Sequence, residues 1–242
     1  IEGRRPLYPT WLLTIAVALA CASITVLNNG GWREVAAAMP ASALALLLHR
    51  LMGRHQVNLI ASVVISTVVA SSLYLLFYWV AQGGHAGVAP RLTAGFVASV
   101  IFLVPGFPLV TGGLDVVRLD LEAGVARLAY AALVMLAMGI GIWGVASLAG
   151  VSPDAVPPLG VAVGWLWALR AGASFLAVLG WALMFNAPRG VAVASAVIAV
   201  AGNALRLGLL DAGWAPHVAT FFGALLIGLA CHVVGWVSRL PV

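Results

Sequence analysis

The chain has 242 residues, of which only 8% are charged: 12 basic residues, all of them arginine, against 7 acidic ones, for a net charge of +5. With 63% hydrophobic residues it is far from a soluble domain, in which roughly a quarter of residues carry charge. The composition excludes a separate soluble domain. The scatter of the arginines among the breaks between apolar runs excludes a surface that tracks nucleic-acid phosphates.

Apolar runs free of formal charge extend over Trp11–Leu27, Val35–Leu48, Val57–Ala81, Leu92–Leu114, Leu128–Val151, Ala171–Pro188, Gly190–Leu205 and Ala212–Ser238. A bilayer core admits helices or closed barrels, and none of these runs alternates with the period of two that barrel strands need. The fold class is therefore all-α: a polytopic membrane bundle of about eight spans in a lipid bilayer. The runs Val35–Leu48 and Val191–Leu205 are short and rich in small residues, which predicts close packing in the bundle interior. Cys21 and Cys231 sit inside apolar runs and read as small buried hydrophobes, without metal-ligand spacing, so no metal or cofactor is expected. Ile1-Glu2-Gly3-Arg4 matches a protease recognition sequence and is given no weight. With the N-terminus inside, eight arginines fall in inner connections and four, Arg33, Arg91, Arg170 and Arg206, in outer ones. This bias predicts a cytoplasmic N-terminus.

Aligning Val26-Leu27-Asn28 with Met184-Phe185-Asn186 superimposes the first three spans on the last three, and pairs Asn58 with His217, Ser72 with Cys231 and Phe77 with Trp236. Five spans separate the starts of the two copies, and an odd number inverts the second one in the membrane, as in alternating-access transporters. Residues 1–151 then form a first repeat of five spans and residues 152–242 a second of three. The stretch from Gln82 to about Val151 has no counterpart, so the chain reads as an incomplete repeat protein that should not transport alone. A second copy or a missing C-terminal segment would complete it.

The stretch Phe102–Leu128 departs from plain helix. Pro105 and Pro108 flank Gly106, and Gly112-Gly113 follow, which predicts a broken helix at membrane depth beside a wet pathway. A half-helix end exposes N–H groups that suit a carboxylate, and the opposing end exposes carbonyls that suit an ammonium; an amino acid carries both. Asp115, Arg118, Asp120, Glu122 and Arg127 come next. Arg118 and Glu122 read as solvated interfacial charges. Asp115 reads as a pathway residue that holds a substrate ammonium or carries a proton, and Arg127 as a counter-ion or interfacial anchor.

This segment resembles the threonine/serine exporter family of bacterial amino-acid efflux proteins, in which a Pro-Gly break is followed by an Asp and by Gly-x-x-Arg opening the next helix. Here those positions are Pro105-Gly106, Asp115 and Gly124-Val125-Ala126-Arg127, with Asp120 at a second acidic position. Leu179–Gly190, Arg206 and the stretch from Val218 to Leu229 are similar to the family's second repeat. Family members resemble a ten-helix protein preceded by a cytoplasmic domain, whereas this chain shows eight spans and no second Pro-Gly motif. Gly113-Leu114 also stands where more polar residues are expected before Asp115. The resemblance implies export of L-threonine, L-serine and similar small neutral amino acids across the bacterial cytoplasmic membrane, coupled to the proton gradient.

Among the remaining polar residues, Asn28 and Asn186 read as helix caps, and His232 as a lone intramembrane histidine. Asn203, inside a short apolar run, must find a partner and is kept as a pathway candidate with Pro105, Gly106, Gly112, Asp115, Asp120 and Arg127. Gly112-Gly113-Leu114-Asp115 resembles the motif of intramembrane aspartyl proteases but lacks a second intramembrane Asp, so an enzyme is not expected. A passive channel or a structural subunit of a membrane complex is the alternative to a transporter.

Overall fold

The computed structural model describes residues 7–84, 91–152 and 155–238. Among them the chain forms α1 (Thr10–Leu27), α2 (Trp32–Arg54), α3 (Leu59–Ala81), α4 (Leu92–Ala98), α5 (Gly106–Val117), α6 (Leu121–Ala149), α7 (Val163–Met184), α8 (Arg189–Asp211) and α9 (Pro216–Ser238), with a 3-10 turn at Ile101–Leu103 and no strand. Seven of these helices are long and apolar enough to cross a membrane. The stretch Leu92–Leu103 and α5 together are also long and apolar enough for a broken span or a re-entrant loop, with a bend of 65° between them.

The helices end where the backbone chemistry demands it. Asn29 after α1 and Asn186 after α7 adopt left-handed φ values of 62° and 61°, a conformation that asparagine tolerates better than most residues. In both turns an N–H reaches back five residues, from Gly30 to the Thr25 carbonyl at 2.8 Å and from Ala187 to the Ala182 carbonyl at 2.9 Å. Trp32 and Arg189, Arg54 and Asp211, Leu59 and Pro216, and Ala81 and Ser238 each stand 157 positions apart. The bounds of α2 and α8 thus match without a gap, as do those of α3 and α9 and the ends of α1 and α7. The turn pairs Asn29, not Asn28, with Asn186, and the third-helix pairs read from sequence shift by two.

The Leu7 N–H donates to Asn186 Oδ1 at 2.7 Å, and the Tyr8 hydroxyl donates to the Ala187 carbonyl at 2.8 Å. The start of α1 therefore lies at the end of α7, and the two run antiparallel. Their crossing is close, since a Cβ on Gly180 would stand 2.4 Å from the Ala16 carbonyl oxygen. Outward from this central pair, α2 and then α3 follow α1, while α8 and then α9 follow α7; α6 packs on α3, and α5 on α6.

Several expectations are corrected. The second and seventh spans are each 23 residues long, because arginine and glutamate continue a helix and only turn chemistry stops it. α2 buries a stripe of Ala37, Ala38, Ala41 and Ala45. α8 packs chiefly on α7 and α9 and leaves Val193 and Val197 exposed, whereas α1 is the most buried of the long helices, so the interior place belongs to α1. Cys21 is buried, but Cys231 is exposed, because α9 packs chiefly on α8 and is the least buried of the long helices. Pro108 and Gly112-Gly113 do not break the helix: Pro108 falls in the first turn of α5, where a missing N–H has no intrahelical partner to lose.

Candidate functional site

The break lies at Val104-Pro105. Val104 is extended at φ −62° and ψ 124°, as a residue before proline prefers, and Pro105 cannot donate to the preceding turn. Above the break, Phe102 and Leu103 pack among Val17, Cys21, Ala45, Leu46 and Ala70, so the irregular backbone is enclosed by α1, α2 and α3. The Cys21 thiol contacts the Ser42 side chain and the Phe102 backbone. Ala98, Ser99 and Val100, one turn earlier, are 0%, 0% and 1% exposed.

A cavity opens on each side of that buried turn. One, of about 290 Å³, lies at the end that carries Leu7; Pro105 and Pro108 line it together with Leu46, His49, Arg50 and Tyr130. His49 Nδ1 stands 3.1 Å from Ser66 Oγ on α3. The other, an open cleft of about 940 Å³ at the opposite end, is bordered by Asn29, Thr93, Ser147, Arg170, Arg206 and Asp211 among others. Both terminal nitrogens of Arg170 bond the Asp211 carboxylate, and its guanidinium lies over the Trp167 ring at 5.1 Å. Thr93 Oγ1 is buried without a hydrogen-bond partner.

The residues singled out from sequence fall into two groups. Pro105 lines the smaller cavity and Gly106 opens α5. Gly112, Asp115, Asp120 and Arg127 share the hairpin of α5 and α6. Gly112 is buried at the crossing, where its Cβ would meet Arg127 Cβ at 3.1 Å. Asp115 forms an ion pair with Arg127, which stands as its counter-ion. Asp120 caps α6, its side chain accepting from the Ala123 N–H at 3.4 Å. None of these four lines either cavity. Asn203 lies at the other end, donating from Nδ2 to Ser174 Oγ at 2.6 Å and accepting from Arg206 Nε at 2.9 Å. Asn28 bonds its own helix through the Ile24 carbonyl, Asn186 accepts from Leu7, and His232 is exposed on α9.

Sequence reasoning missed His49, Arg50 and the ion pair of Arg170 with Asp211, and used Arg206 to orient the chain and to match the family's second repeat but not as a site residue. Each flanks or ends an apolar run and therefore reads as a loop marker. The signal was available in the helix chemistry, because no proline or glycine separates these residues from the runs they adjoin.

Seven apolar helices of membrane-crossing length, with a bent helix pair between two cavities, define a multi-pass membrane protein. The chain belongs to the threonine/serine exporter family: residues 1–149 match the family model described as "Putative threonine/serine exporter", and residues 170–242 match the one described as "Threonine/Serine exporter, ThrE". Among curated proteins it is similar to the "Probable succinate transporter subunit YjjP" of Klebsiella aerogenes, at 32% identity over 139 residues, 56% of this chain and 50% of that protein. The protein of the same description from Escherichia coli K12 is 33% identical over 139 residues, 56% of this chain and 51% of that protein. The chain spans about half the length of these relatives. No solved structure matches it.

Proposed function

We propose that the chain forms the membrane pathway of a secondary exporter of small carboxylate-bearing solutes, L-threonine and L-serine first among them, driven by the proton gradient. The observation that carries this reading is the broken span: its buried turn at Ala98–Val100 stands between two cavities that open at opposite ends of the bundle. The matching bounds of α1–α3 and α7–α9, together with the antiparallel run of α1 and α7, support an inverted repeat. In this reading the N-terminus and the hairpin of α5 and α6 face the cytoplasm of a bacterial cell, and Asp115 holds a substrate ammonium or carries the coupled proton.

A second reading, a subunit that handles a dicarboxylate within a membrane complex, rests on the smaller cavity and on the names of the relatives. His49 and Arg50 line that cavity without any carboxylate, which suits a solute with two carboxylates and no ammonium. Proteoliposomes loaded with labelled threonine, serine or succinate, with and without a pH gradient, separate the readings. Gradient-dependent flux of the amino acids supports the first and of succinate the second. Flux indifferent to the gradient marks a passive channel, and saturable flux of none of the three removes the exporter reading for the chain on its own.

A further inference from the structure

His49 on α2 and Arg206 on α8 stand 157 positions apart, the same offset that matches the helix bounds. The correspondence continues around them. Leu27 lines the larger cleft, and its counterpart Met184 lines the smaller cavity. Arg50 lines the smaller cavity, and its counterpart Leu207 lines the larger cleft. Ser66, which bonds His49, corresponds to Gly223, whose Cβ would meet Arg206 Cβ at 3.0 Å. The two cavities thus share three equivalent lining positions of the two three-helix units, Leu27 with Met184, His49 with Arg206 and Arg50 with Leu207, and they open at opposite ends because α1 and α7 run antiparallel.

Their charge agrees as well. The larger cleft carries two guanidiniums, Arg170 and Arg206, against the one carboxylate of Asp211, and the smaller cavity carries Arg50 beside His49. Each is left with one net cation. In the larger cleft Asp211 is engaged by Arg170, whereas Arg206 gives Nε to the neutral Asn203. A guanidinium half-buried in a span, with a neutral partner only at Nε, presents its terminal amino groups to an anion. Thr93 Oγ1, unpartnered in the same cleft, adds a hydroxyl donor and acceptor.

On the exporter reading, we infer that the two cavities are the symmetry-related outer and inner mouths of one pathway, in which Arg206 on the outer side and His49 with Arg50 on the inner side hold the solute carboxylate. Residues Ala98–Val100 form the septum, since Thr93 and Phe96 line the outer mouth, and Phe102 and Pro105 the inner one. The ligand class is a small carboxylate, whether of an amino-acid zwitterion or of a dicarboxylate.

Single cysteines at Ser147 in the outer cleft and at Leu59 in the inner cavity, in a background with Cys21 and Cys231 replaced by alanine, report occupancy in proteoliposomes through their maleimide labelling rate. Threonine or succinate should slow labelling at both positions at least threefold, and the amide analogue lacking a carboxylate should slow neither. The solute that protects more strongly identifies the carboxylate source. R206Q should abolish protection at the outer cysteine and H49Q at the inner one. R206K, which keeps the charge but not the fork, should retain part of the protection and shows that the loss in R206Q is not misfolding. Protection that survives R206Q, or its absence with both solutes, overturns the inference. Flux in the same vesicles keeps the two readings apart: flux without protection removes these sites and leaves the exporter, while protection without flux leaves the sites and removes the exporter reading for the chain on its own.

Discussion

Asp115 and Arg127 come from opposite arms of one hairpin, with side chains 19% and 51% exposed. A pair this open to solvent contributes roughly 0.2–1 kcal/mol, so Asp115→Asn should fold and express like the parent, with a melting temperature in detergent lowered by no more than a few degrees. Its effect on transport is then readable. A proton carrier so altered should lose pH-driven accumulation yet keep exchange, a substrate anchor should lose both, and unchanged accumulation and exchange would remove Asp115 from the mechanism. Both residues were legible in the sequence as members of a charged cluster. The reading of Arg118 and Glu122 as solvated charges and of Arg127 as a counter-ion agrees with the structure, but the choice between counter-ion and interfacial anchor was not legible, because a turn at Leu119 with φ 64° decides which side chains meet across the hairpin.

At the level of single helices, the crossing of α5 and α6 depends on two glycines. A Cβ on Gly124 would lie 2.7 Å from Val116 Cγ2 and 2.9 Å from the Val116 nitrogen, whereas one on Gly113 meets nothing within 4 Å. Gly124→Val should therefore part the helices at a cost of about 1–3 kcal/mol, seen as faster amide exchange throughout α5. Gly113→Ala should stabilise α5 by about 0.5–1 kcal/mol and slow that exchange; if Gly113→Ala loosens α5 as Gly124→Val does, the crossing has been misassigned. The hairpin also extends beyond its neighbours: Val134 packs on Val63, so at 1.5 Å per residue α6 begins about 14 Å before the level of Leu59. Hydropathy located the spans but not their ends. Glu34, Arg50, Arg54 and Asp211 look like boundaries to a charge count, yet they lie inside the helices.

Over the whole molecule, the arginine bias and the antiparallel central pair give one orientation to test. Cysteines at Leu119, 81% exposed on the hairpin, and at Ser152, beside the larger cleft, should be labelled from opposite sides of intact cells. Labelling of Leu119→Cys from outside by an impermeant reagent would reverse the assignment. The helical bundle and the turns after α1 and α7 were legible because apolar length and turn residues are local signals. The register was not, since asparagine identity drew Asn28 to Asn186 while backbone conformation pairs Asn29 with it. Nor does sequence distinguish Gly180, which admits the Ala16 carbonyl, from Gly164, which faces open space. Gly180→Val should push α1 from α7 and lower the melting temperature by several degrees, while Gly164→Val should not.

That glycine contact has a mechanical consequence. Interlocked side chains resist rotation, but a smooth backbone against a smooth backbone allows two helices to turn about their contact point with little repacking. The crossing of α1 and α7 at Ala16 and Gly180 joins a group of six helices, α1–α6, to a group of three, α7–α9. On the exporter reading, a turn of the smaller group about that point works as a seesaw, widening one mouth as it narrows the other.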